Sequence, residues 1–130
     1  MPELPEVETT RRGIEPHVVG RRITDVVIRE RRLRWPGEAG LAKALIGARF
    51  LSARRRAKYL LLDCEIGTLM VHLGMSGSLR VLTCDEPPMF HDHIDIILDS
   101  GNFLRYNDPR RFGSFHWLKS DDHPLLNHLG

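Results

Sequence analysis

From Arg49 onward the chain is cut into short apolar runs by turn chemistry, and this punctuation limits what it can fold into. Arg49–Arg56, Lys58–Glu65, Thr68–Leu73, Ser78–Thr83, His93–Leu98, Asn102–Tyr106 and Gly113–Lys119 all read as strands. Gly67, Gly74 to Gly77, Pro87-Pro88, Ser100-Gly101-Asn102 and Asn107-Asp108-Pro109 separate them. Ahead of these runs, Leu4, Val7, Ile14 and Val18 repeat at helical spacing, which predicts an amphipathic helix over Pro5–Val18 that stops near Gly20. From Ile23 to Trp35, β-branched residues alternate with charges, as in a strand with an arginine-rich outer face. Glu38–Ile46 reads as a short helix ended by Gly47. The expected fold is mostly β with two helices (α+β): a β-sandwich of about eight strands with the N-terminal helix at its edge. Residues 1–120 are expected to form one domain. Residues 121–130, from Pro124 on, read like the opening of a further helix.

Composition narrows the partners. With 130 residues, 42% of them hydrophobic, the chain suits one domain with a real core. Net charge is only +2, but three lysines stand against sixteen arginines, eight of them between Arg11 and Arg34. Arg54-Arg55-Arg56-Ala57-Lys58 and Arg110-Arg111 form two further clusters. Any one pair suits a solvated face. Three clusters together point toward an anionic polymer, because the guanidinium fork matches phosphate and base edges. Cys64 and Cys84 have no C-x-x-C spacing, so neither a zinc signature nor a disulfide framework is present. Free cysteines and the lack of a signal peptide suggest a reducing, cytoplasmic setting. No apolar run approaches membrane-spanning length.

Several residues could carry chemistry. Removal of Met1 would expose Pro2 as a secondary amine. An α-amine titrates at roughly 7.7–8.0, against about 10.4 for lysine, so part of it is nucleophilic at neutral pH. Its addition to a sugar C1′ or a carbonyl would give an iminium, an electron sink for elimination. Glu3 beside it could act as acid or base, although Glu3, Glu6 and Glu8 also suit a helix N-terminus. Lys58 at a strand entrance reads either as a surface lysine or as a phosphate contact near that amine. Met75 lies in a glycine-flanked turn after His72, where an exposed apolar tip could wedge between stacked bases. His91, His93 and Asp95 fall on one strand face; a metal there lacks supporting cysteine or HExxH patterns, and a histidine on phosphate competes with it. Arg110 and Phe112 sit on a basic turn. There Arg110 could read a base edge while Phe112 stacks, filling the hole left by a flipped nucleotide.

Pro2-Glu3-Leu4-Pro5-Glu6-Val7-Glu8, Arg55-Arg56-Ala57-Lys58-Tyr59-Leu60, His72-Leu73-Gly74-Met75-Ser76-Gly77 and Asp108-Pro109-Arg110-Arg111-Phe112-Gly113 together resemble formamidopyrimidine-DNA glycosylase, in that family's order. Leu4 favours this branch over the endonuclease VIII branch. The resemblance implies base-excision repair of damaged double-stranded DNA by a monomeric, nucleoid-associated glycosylase and AP lyase. Its substrates would be 8-oxoguanine and ring-opened purines. Pro2 would be the Schiff-base nucleophile, Glu3 the acid that assists ring opening, and Lys58 the proton donor in β-elimination. Met75, Arg110 and Phe112 would fill the gap, with Arg110 facing the orphaned cytosine. His72 and His91 would join them in holding DNA. The resemblance also implies a second half with a helix–two-turn–helix element and a four-cysteine zinc finger, neither of which lies within residues 1–130. No cofactor or metal is therefore expected in this chain, and excision by it alone should be impaired. A non-catalytic, weakly DNA-binding module and a proline-amine tautomerase are the rival readings.

Overall fold

A computed structural model describes residues 4–29, 34–35, 40–74, 77–83, 86–109 and 113–118. Among these are two helices, α1 (Leu4–Val18) and α2 (Gly40–Leu45). There are nine strands: β1 (Ile23–Ile28), β2 (Arg34–Trp35), β3 (Phe50–Arg56), β4 (Tyr59–Cys64), β5 (Gly67–His72), β6 (Ser78–Leu82), β7 (Asp92–Leu98), β8 (Phe103–Asn107) and β9 (Ser114–Leu118). They form two sheets, ordered β1-β7-β8-β6 and β2-β9-β5-β4-β3. The expected sandwich is thus present. No helix among the described residues is long and apolar enough to cross a membrane.

Alternation along the strands explains the two layers. Leu60, Leu62, Leu69 and Val71 point inward from the five-stranded sheet, and Ile94, Ile96, Leu104 and Tyr106 from the other. Burying such a side chain contributes about 1.5–3 kcal/mol. Val7, Ile14 and Val18 form the buried stripe of α1, which packs on β3 and β6 and closes one edge of the sandwich. Pro16 falls in the last turn of that helix, just before it ends at Val18. The short helix α2 lies against β1, β2 and β9.

One expected element is divided. The run from Ile23 to Trp35 is not one strand: β1 pairs antiparallel with β7 in one sheet, whereas β2 pairs parallel with β9 in the other. Alternating hydrophobicity does not reveal which of two sheets a strand joins, since both bury one face.

Polar networks lie on the outer faces. Asp63 accepts hydrogen bonds from Ser52 Oγ (2.6 Å), Arg54 Nε (2.6 Å), Arg54 Nη2 (2.7 Å) and Thr68 Oγ1 (2.9 Å). On the four-stranded sheet, Arg105 is only 1% exposed and donates to Asp95 through Nε (2.8 Å) and Nη2 (3.0 Å). Arg29 also donates to Asp95, at 2.8 Å. Asp92 accepts from Asn107 Nδ2 (2.9 Å) and from the Met89 amide (2.7 Å), so the same region anchors the segment leading to His91. Burial pushes the thiol of Cys64 up to about 12, which makes it inert. Cys84 lies outside the described residues.

Candidate nucleic-acid interface

The sheet register brings the Lys58 turn and two loop necks to one end of the sandwich. Ala57 and Lys58 form a two-residue turn closed by the pair Arg56↔Tyr59. Tyr59 pairs with His72, and His72 with Ser114. The chain leaving β5 and the chain entering β9 therefore flank the Lys58 turn. On the other sheet, Ser78 and Asp92 both pair with Asn107, so the same end holds the start of β6, the start of β7 and the close of β8.

Helix α1 brings its own first turn to this same end. Arg11 Nη1 donates to the carbonyl of Ala53 (3.2 Å), and Glu8 Oε1 lies 3.4 Å from Arg55 Nε. Moving from Arg11 to Glu8 thus advances along β3 from Ala53 to Arg55. Leu4 lies a further turn on, about 6 Å at 1.5 Å per residue. Two strand residues span about 6.6 Å, which puts the first turn of α1 level with Ala57. Hydrogen bonds from Arg11 (2.7 and 2.9 Å), with Arg12 adding to them, hold the Glu8 carboxyl down to about 2, so it stays ionised beside Arg55.

The turn itself is constrained. Ala57 holds φ at 53°, in the left-handed region, which costs a residue with a Cβ about 1–2 kcal/mol. Arg55 Nη1 donates to the Ala57 carbonyl (2.9 Å) and supports it.

Ion pairing sorts the arginines. Arg11, Arg12, Arg21, Arg22, Arg29, Arg54, Arg55, Arg80 and Arg105 each reach a carboxylate within 4.0 Å. Most of the arginines among the described residues are thus neutralised by carboxylates, whereas Arg31, Arg32, Arg110 and Arg111 lie outside the described residues. In the cluster beside the turn, Arg54 goes to Asp63 and Arg55 to Glu8. Arg56 and Lys58 have no carboxylate partner among the described residues, and both flank the turn at this end.

Among the expected site residues, Lys58 and His72 come together at this end; the His72 ring lies 5.1 Å from that of Tyr59. His91 lies on a half-buried turn at the same end, and its carbonyl accepts the Asp108 amide (3.0 Å). Exposed Phe90 packs edge-on against the His91 ring at 4.8 Å. Pro2, Glu3, Met75, Arg110 and Phe112 lie outside the described residues. The grouping of His91, His93 and Asp95 is corrected: His91 precedes β7, and a bulge separates Asp92 from Ile94. His93 Nε2 is bonded to the Asp108 carbonyl (2.7 Å), and Asp95 is held by two arginines. No set of three His, Cys, Asp or Glu among the described residues could hold a metal ion.

Two residues at the loop necks escaped sequence reasoning, Tyr106 and Asp108. Asp108 Oδ2 accepts from both the Tyr106 hydroxyl (2.8 Å) and the Gly113 amide (2.8 Å), bridging the ends of the basic loop. The available signal is an aspartate before a proline with a glycine closing the loop, a pattern that by itself indicates only a turn.

The family model described as the formamidopyrimidine-DNA glycosylase N-terminal domain matches residues 1–115. The formamidopyrimidine-DNA glycosylase of Nitrosococcus oceani is 60% identical over 132 residues, covering 100% of this chain and 49% of the relative. That of Stenotrophomonas maltophilia is 60% identical over 131 residues, covering 100% and 48%. The chain thus spans about half the length of the curated relatives it matches. Among solved structures, the Lactococcus lactis enzyme in complex with FAPY-dG-containing DNA superposes with a TM-score of 0.86 at 36% identity, covering 92% of this chain and 45% of that one. The same enzyme bound non-covalently to DNA with an AP site gives 0.88 at 35% identity, covering 94% and 47%.

Proposed function

Because this chain belongs to the formamidopyrimidine-DNA glycosylase family, matching its N-terminal domain, we propose that it supplies the nucleophile-bearing half of a DNA glycosylase and AP lyase. The observation that supports this reading is that α1 runs along β3 toward the turn that holds Lys58, with Glu8 beside Arg55. The Pro2 nitrogen would attack C1′ of a damaged purine nucleotide. The N–C1′ bond forms as the glycosidic bond breaks, and the base leaves with a proton. Glu3 would assist ring opening by protonating the ring oxygen. Breaking of the C1′–ring-oxygen bond would leave an iminium; C2′ would then give its proton to water as the C2′=C3′ double bond forms and the 3′ phosphate leaves, cutting the strand, with Lys58 as the associated proton donor to the departing phosphate. Met75, Arg110 and Phe112 would fill the vacated stack, and His72 and His91 would hold the backbone. The substrates would be 8-oxoguanine and formamidopyrimidines in duplex DNA, bound by a cytoplasmic monomer.

Borohydride trapping on this polypeptide tests the reading. Hydride reduction of the iminium is expected to link the chain covalently to abasic duplex DNA. A residue retained ahead of Pro2 should abolish the adduct. An adduct that persists with the amine blocked would refute the nucleophile. Excision of 8-oxoguanine by the 130-residue chain alone should be much weaker than trapping on abasic DNA. Binding to DNA depends on phosphate neutralisation, and the second half that the resemblance implies, with its helix–two-turn–helix element and zinc finger, lies outside residues 1–130.

The sorted charges make a second prediction. Arg56→Gln should reduce the salt slope of binding to abasic duplex DNA by about one, with similar loss on damaged and intact duplexes. Arg54→Gln should leave the slope unchanged, because Arg54 is spent on Asp63. Plots of log affinity against log salt would decide, and equal slope changes in the two variants would contradict the assignment.

A further inference from the structure

Both glycine-necked loops at this end meet one buried phenol. Tyr106 is fully buried; its hydroxyl lies 2.8 Å from Asp108 Oδ2 and 3.3 Å from the Leu73 carbonyl. The same carbonyl accepts the Gly77 amide (2.9 Å), and the same carboxylate oxygen accepts the Gly113 amide (2.8 Å). A continuous chain therefore runs from the Gly77 amide through Leu73, Tyr106 and Asp108 to the Gly113 amide. A Cβ at Gly77 would stand 2.5 Å from the Tyr106 hydroxyl, and one at Gly113 only 1.7 Å. Both necks press on that oxygen so closely that only glycine fits.

The phenol is itself immobile. It projects from β8, paired with β6 on one side and β7 on the other, and its ring packs against Phe115 at 5.1 Å. Asp108 is fixed again by His91 and His93 through its backbone. Burial, with Asp108 adding to it, pushes the Tyr106 hydroxyl far above the usual phenol range, so it stays a donor at any physiological pH.

We propose that Tyr106, acting through Asp108, is a positioning residue that couples the neck at Leu73 and Gly77 to the neck at Asp108 and Gly113, so that the two necks present the residues between them to a damaged duplex together. This rests on the reading of this end as the DNA interface. Filling a gap from two sides requires both loops in place together. Fixing both necks during folding removes their share of that cost from the binding step.

The test is non-additivity. Met75→Ala, Phe112→Ala and the double variant would be measured for binding to abasic duplex DNA, in the parent and in Tyr106→Phe. In the parent, the double variant should lose about tenfold less than the product of the single losses, because each change already disables the unit. In Tyr106→Phe the losses should multiply to within about twofold. Equal non-additivity in both backgrounds, or simple multiplication in the parent, would overturn the coupling. Amide exchange in the unmodified protein gives an independent reading: Gly77 and Gly113 should show the same opening equilibrium to within about threefold. A difference beyond about tenfold would sink the proposal. A parent with no preference for abasic over intact duplex would overturn the DNA reading instead, and amide exchange would still decide the coupling.

Discussion

Asp95→Ala is expected to destabilise the protein by about 3–5 kcal/mol, because it strands a buried guanidinium. Arg105 is 1% exposed and loses two short hydrogen bonds, keeping the Glu86 carbonyl (2.9 Å) and a distant Asp92 carboxylate (3.8 Å). Arg29 loses its carboxylate partner but keeps the Asp92 carbonyl (3.2 Å), and it is partly exposed and can turn to water. Urea unfolding would show the change as a lower midpoint at constant slope. Replacing both members, as in Asp95→Leu with Arg105→Met, should recover most of the loss, since the penalty comes from the unpaired charge. A loss below about 1 kcal/mol in the single variant would show that the network contributes little.

The same carboxylate makes the fold acid-sensitive. Burial alone would raise the Asp95 carboxyl, but hydrogen bonds from Arg105 and Arg29 outweigh it and hold the group below the ordinary range. Asp92 and Asp63 are lowered against burial in the same way, by the Met89 amide and by Arg54 respectively. A depressed folded-state pKa contributes stability that is present above the unfolded value of about 3.9. That stability disappears as pH falls through the folded value. Stability should therefore drop below about pH 4, and by less in the Asp95→Leu/Arg105→Met double variant.

Gly113→Ala should cost about 3 kcal/mol, and the loss should extend to the interface. Its Cβ would stand 1.7 Å from the Tyr106 hydroxyl and 2.5 Å from the His72 carbonyl. Neither can retreat: the first is the end of a ring held in the core, and the second is strand backbone paired with Ser114. Overpacking of this kind usually costs about 1–3 kcal/mol, and rigid neighbours place it at the top of that range. Gly13→Ala is the matched control. It lies inside α1 with nothing within 4 Å of its would-be Cβ, so alanine there should stabilise by about 0.5–1 kcal/mol. Thermal unfolding of the two variants would shift in opposite directions, and a harmless Gly113→Ala would disprove the close packing at the loop neck.

The sequence by itself determined the sandwich class, the N-terminal helix and most strand positions, because those follow from local periodicity and turn residues. The 3.6-residue stripe of Val7, Ile14 and Val18 and the alternation in β3 to β9 are properties of neighbours in the chain. Four motifs in order also marked Lys58 and His72, which the sheet register then brought to one end. Tertiary structure alone decided which sheet each strand joined, and so divided the run from Ile23 to Trp35. It also decided which arginines are spent. Arg54, Arg55 and Arg56 are consecutive, yet strand alternation and a helix crossing send the first to Asp63 and the second to Glu8, leaving the third without a carboxylate among the described residues. Partners of this kind are separated by 9 to 66 positions in the chain, as Arg54 with Asp63 and Arg29 with Asp95 show. Short-range pattern carries no information about such pairings, because a charge finds its counter-ion across space and only the folded sheets set that distance.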